Sequence, residues 1–135
     1  MALQYSVTVR NAQLDAFESA VGTSAVLKIR SGTAPANCAT ADSGTVLATL
    51  SLPSDWMSAA SSGSVSKSGT WEDADADATG TAGHFRIYAS DGTTCHAQGT
   101  ITATGGGGDM TLDNTSIATG QTVTVTTFSI AAGNA

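Results

Sequence analysis

The spacing of apolar positions changes once along the chain, near Gly22. Upstream of it, Leu14, Phe17 and Val21 recur at helical spacing on one face, with Asp15 and Glu18 turned away. Gly22 stands where a left-handed cap would stop a helix. The pattern therefore predicts one short N-terminal helix over about residues 10–21. Before it, "YSVTV" alternates Tyr5, Val7 and Val9 and reads as a first strand. Beyond Gly22 the pattern is strand and turn. "AVLKIR" (Ala25 to Arg30) and "TVLATLSL" (Thr45 to Leu52) read as strands, and the aperiodic "SGTAPANCATADSG" between them as an ordered loop. "SLPSDWMSAASSGSVSKSG" is expected to hold a turn and an edge strand.

Two irregularities sharpen this reading. In "HFRIYASDGTTCHAQGTI", Phe85, Ile87 and Ala89 share a face that Cys95, Ala97, Gly99 and Ile101 continue. A three-residue loop Ser90-Asp91-Gly92, with Gly92 left-handed, keeps both faces in register and pairs Ile87 with Cys95 and Arg86 with His96. Near the C-terminus, Val123 and Val125 have one parity and Phe128 and Ile130 the other. A bulge or bend at Thr126–Thr127 is expected, as when a strand passes between sheets. Many short strands and one helix give a mainly β chain, a single jelly-roll-like β-sandwich domain over residues 1–135.

Composition fits that picture: more than half of the chain is Ala, Thr, Ser or Gly, and bulky apolar residues are scarce. The net charge is −6, and the few basic residues (Arg10, Lys28, Arg30, Lys67, Arg86) are scattered. No basic stripe exists to pair with phosphates, so neither nucleic acid nor an anionic membrane is an expected partner. "MALQYSVTVRNAQLD" lacks a basic leader followed by an apolar run, which points to synthesis in a cytoplasm. In such a reducing setting Cys38 and Cys95 are expected to be small buried hydrophobes, not a bridge.

The densest polar feature is "WEDADADATGTAG", with Glu72, Asp73, Asp75 and Asp77 in close succession. Asp73, Asp75 and Asp77 mimic the first, third and fifth positions of a calcium loop. Ala78 stands where that loop needs glycine, and His84 where it needs glutamate. No metal is expected there, and the stretch reads as a bent, exposed acidic loop. A glycosidase pair needs one acid raised in a cleft, and only Trp71 is at hand to supply apolar surroundings. His84, Arg86 and His96 fall on the outward face of the hairpin and are expected to meet solvent or a partner. No nucleophile motif accompanies these histidines, although a small hydrolase using His84 or His96 is a further hypothesis. Gly105 to Gly108 lack the Lys-Ser/Thr and helix of a phosphate loop. Trp56 and Trp71 are core or interface anchors, or stacking platforms for a sugar.

Taken together, "YSVTVRNAQLDAFESAVGTSAVLKIRSGTAPANC", "LPSDWM", "GTAGHFRIY" and "GGGGDMTLDNTSIATGQTVTV" resemble the capsid cement (decoration) proteins of tailed phages and prophages over nearly the full chain. The resemblance implies a jelly-roll-like sandwich that forms homodimers on the outer face of an HK97-type capsid. It implies the major capsid protein as partner, virion localisation, and no enzymatic activity, catalytic residue or cofactor. Tyr5, Val7, Trp56, Trp71, Asp73, Asp75 and Asp77 are the candidate interface residues. A terminal segment such as "ALQYSVTV" is expected to pair with a neighbour's sheet. The alternative function is a receptor- or glycan-binding module of a phage tail or fibre.

Overall fold

The chain enters its fold through a helix. In the computed structural model, which describes residues 3–133, α1 spans Val7–Val21. The strand expected at "YSVTV" is thereby corrected. Ser6 caps the helix, its Oγ accepting the Val9 amide at 3.2 Å, and the Arg10 amide reaches the Ser6 carbonyl at 3.0 Å. A five-residue alternation loses to a capped first turn that propagates from an already packed helix. The helix ends at Gly22 as expected, with φ at 91°, although ψ of −179° departs from a left-handed cap.

The remaining elements are short strands. They are β1 (Val26–Ser31), β2 (Val46–Ser51), β3 (Ser64–Ser66), β4 (Trp71–Asp73) and β5 (Gly80–Tyr88). There follow β6 (Cys95–Ala103), β7 (Met110–Leu112), β8 (Ser116–Ile117), β9 (Val123–Val125) and β10 (Ser129–Ala131). The main sheet runs β2-β1-β5-β6-β7, with β8 paired to the start of β5; only β6 and β7 are parallel. Two smaller pairs, β4–β9 and β3–β10, complete a mainly β, sandwich-like fold. The parity change near the C-terminus does what it implied. Val125 pairs with Trp71 in one small sheet, Ile130 pairs with Val65 in the other, and Thr126–Phe128 carry the chain across.

Leu27, Ile29, Phe85, Ile87 and Ile101 lie buried along one face of the main sheet. Against them runs a chain of five aromatic rings. Phe17 of α1 meets Trp56 edge-on at 5.3 Å, and Trp56 meets Trp71 at 6.0 Å. Phe128 then lies 5.6 Å from Trp71 and 5.7 Å from Phe85. Every Phe and Trp of the sequence is in this chain, which compensates for the shortage of bulky aliphatic residues.

The helix also uses its polar side. Asn11, Asp15 and Glu18, spaced to share a face, accept the backbone amides of Gly63, Ala60 and Met57. Asp15 and Glu18, turned away from the apolar face as expected, thus fasten the 57–63 segment.

The β5–β6 hairpin is in a different register from the one expected. Gly92 is left-handed, with φ at 69°, but the Ala89 amide bonds to Thr94 across a wider turn. Asp91 widens it by accepting the Thr93 and Thr94 amides, both at 2.8 Å. Arg86 pairs with Gln98, Ile87 with Ala97 and Tyr88 with Cys95, leaving His96 as the extra residue. The expected pairs Ile87–Cys95 and Arg86–His96 are corrected, and Cys95 moves to the face of Tyr88 and Arg86.

Candidate functional site

The candidate residues sort into three places: the acidic stretch, the N-terminal end of α1, and the outer face of the main sheet. In the acidic stretch the chain leaves β4 and bends back over β2. A bulge in the β1–β2 ladder leaves Leu47 unpaired, and its carbonyl accepts the amides of Asp77 and Ala78 at 2.8 and 3.3 Å. Asp73 accepts the Thr49 amide at 2.8 Å and Asp77 the Thr49 hydroxyl at 2.7 Å. Glu72 accepts the Thr124 hydroxyl across the β4–β9 pair. The loop is bent and largely exposed, as its charge pattern required, yet Asp73 and Asp77 are staples rather than free ligands. Asp75 is exposed, and its backbone amide, not its carboxylate, is bonded back to Asp73. Among the described residues no three His, Cys, Asp or Glu groups converge as a metal site.

Trp56 and Trp71 have no exposed surface. Their indole nitrogens donate to the carbonyls of Gly22 and Ser68. This corrects their place among candidate surface residues: both anchor the core, and neither offers a ring face to a sugar or a partner. At the N-terminal end the situation is reversed. Leu3, Tyr5, Val7 and Val9 are 72%, 42%, 46% and 41% exposed, and they are the large apolar side chains left open among the described residues. They form a collar around the start of α1. Val7 and Val9 are helical, so they cannot extend a neighbour's sheet as the sequence pattern suggested, and Ala2 of that segment lies outside the described residues. At the other end, β10 is already paired with β3.

The outer face of the main sheet carries the feature that the sequence misplaced. His84 and Arg86 are buried, not solvent-facing, because the 32–45 loop folds over them. Gly83 permits this approach: a Cβ there would stand 2.2 Å from the Gly32 carbonyl oxygen. His84 Nδ1 lies 2.9 Å from that same oxygen. Arg86 donates to the Asn37 and Thr40 carbonyls at 2.8 and 3.0 Å, to Gln98 Oε1, and to Asp42 at 2.7 Å. Asp42 also accepts from the Tyr88 hydroxyl at 2.7 Å and from Arg30 at 2.8 Å. Burial opposes the Asp42 charge, but Tyr88, Arg86 and Arg30 outweigh it and hold its carboxyl below the usual range. Burial and donation to Asp42 push the Tyr88 phenol up. These contacts make the cluster a clamp that shapes the loop, while His84 Nε2 and Arg30 Nε are buried there without a hydrogen-bond partner. His96, the extra residue of the hairpin, is exposed and apart from His84.

Cys38 and Cys95 are both free and half-buried. Burial and the neighbouring Cys38 push the Cys95 thiol up to about 12. No helix among the described residues is long and apolar enough to cross a membrane. No protein family, curated protein or solved structure matches this chain.

Proposed function

We propose that this chain is a virion structural protein that binds the outer surface of an HK97-type phage capsid as a homodimer and cements neighbouring major capsid subunits. The reading rests on the likeness of the sequence to capsid cement proteins, and the mainly β, sandwich-like fold is compatible with it. The observation that carries it further is the collar of Leu3, Tyr5, Val7 and Val9, exposed apolar side chains at the start of α1 in an acidic chain. Cementing requires no catalytic group. It requires many copies that each bury area across a subunit joint, and two linked contacts multiply modest affinities. Side-chain burial of the collar, rather than strand addition, makes the contact in this reading. Asp75, an exposed carboxylate, adds the charge-dependent part against a basic capsid patch.

The test is co-sedimentation of the purified chain with expanded capsids. Val9 is the third helical residue after the Ser6 cap, so Val9→Glu supplies a capping-box partner and leaves the helix intact. Binding is expected to be lost in Val9→Glu while thermal stability holds or rises. Asp75→Asn should weaken binding mainly at low salt. Failure of the wild-type chain to sediment with expanded capsids would overturn the proposal.

A further inference from the structure

The 32–45 loop is held onto β5 and β6 by a compact set of contacts that surround the two cysteines. Asn37 closes a turn over Cys38, its Oδ1 accepting the amides of Ala39 and Thr40 at 2.9 and 3.1 Å. The carbonyls of Asn37 and Thr40, on either side of Cys38, both receive Arg86 Nη2. Gln98 Nε2 donates to the Pro35 carbonyl at 2.6 Å. On the sheet beneath, Cys95 pairs with Tyr88, and Gln98 pairs with Arg86. Cys95, Arg86 and Gln98 therefore share the face on which the turn sits, and the hairpin bulge at His96 puts Cys95 there. Cys95 Sγ donates to the Ala97 carbonyl at 3.4 Å, and Cys38 is close enough to push the Cys95 thiol up. Both remain partly open to solvent, so a small reagent can reach them.

We propose that Cys38 and Cys95 are the two halves of a reversible disulfide clasp that locks the 32–45 loop to β6. The oxidant is a small-molecule disulfide. The Cys38 thiolate attacks one of its sulfurs, forming a mixed disulfide and releasing one thiolate. The Cys95 thiolate then attacks the Cys38 sulfur, forming the Cys38–Cys95 bond and expelling the second thiolate. The two protein protons end on the two released thiols, so two electrons pass from the cysteines to the reagent. Arg86 lies near Cys95 and favours its ionisation for the second step. The clasp closes slowly at neutral pH and faster as pH rises.

The test treats the full native chain with oxidised glutathione at pH 8 and maps its peptides. The expected product is a monomer lighter by two hydrogens, with Cys38 and Cys95 peptides joined until reductant is added. Its melting temperature should rise by roughly 5–15 °C, as closing a long loop predicts, and reductant should restore the original value. Cys95→Ser should stop at one glutathione on Cys38; if that variant does not fold, the wild-type peptide map decides alone. Two persistent glutathione adducts, a disulfide between two copies, or a cross-link formed only after denaturation would overturn the proposal.

Discussion

Arg86 stands in a central strand, paired on both sides, with its guanidinium held by the 32–45 loop that wraps it and by Gln98 of β6. Asp42 is the single carboxylate that two arginines and a tyrosine share, so its loss strands buried positive charge. Asp42→Asn is expected to cost about 2–3 kcal/mol at pH 7, below the range for a wholly buried pair because its side chain is 36% exposed. The folded Asp42 carboxyl sits lower than in the unfolded chain, where such groups titrate near 3.9. Its contribution is therefore complete above the unfolded value and lost as pH falls through the folded one. Thermal melts of wild type and Asp42→Asn between pH 7 and pH 3 should converge toward acid, and a gap that stays constant would contradict this. Alternation in "HFRIY" correctly put Arg86 opposite Phe85 and Ile87. What it could not supply was the cover, because burial of an outward face depends on where a distant loop lands.

At the scale of elements, local sequence spoke clearly where two signals agreed and failed where only one was present. The strands at 25–30 and 45–52, the helix face of Leu14, Phe17 and Val21, and the crossing at Thr126–Thr127 were all legible from periodicity bounded by turn residues. The strand at "YSVTV" rested on alternation alone, and Ser6, a cap in plain view, decided against it. In the hairpin, Gly92 was read correctly while the register was not. The reason is that Asp91, bonded to two amides and the Thr94 hydroxyl, enlarges the turn. Two measurements test this account. Ser6→Ala should lower stability by about 1 kcal/mol, seen as reduced helical signal and a lower melting temperature. Asp91, held down to about 2 in the folded chain by the Thr94 hydroxyl and the Thr94 and Thr93 amides, should keep its charge at pH 3 when followed by carboxyl NMR titration. A midpoint near 4 would mean that the turn is not formed as described.

For the whole molecule, the decisive fact is that the aromatic chain links every layer. Phe17 ties α1 to Trp56, Trp71 brings the β4–β9 pair, and Phe128 sits at the crossing between the two small sheets while touching Phe85 of the main sheet. Small residues supply most of the sequence, so few other contacts can substitute when one ring is removed. Phe128→Ala should therefore cost about 3–5 kcal/mol, the range for deleting a buried phenylalanine. Because the rings are linked in series across helix, small sheets and main sheet, the loss should be shared by every layer. Tryptophan fluorescence, which reports Trp56 and Trp71, and far-ultraviolet circular dichroism, which reports helix and sheet, should melt together in wild type and in the variant. Should fluorescence in Phe128→Ala change tens of degrees before the dichroism, the small sheets would be a separate unit. The single core argued from the ring contacts would then be wrong.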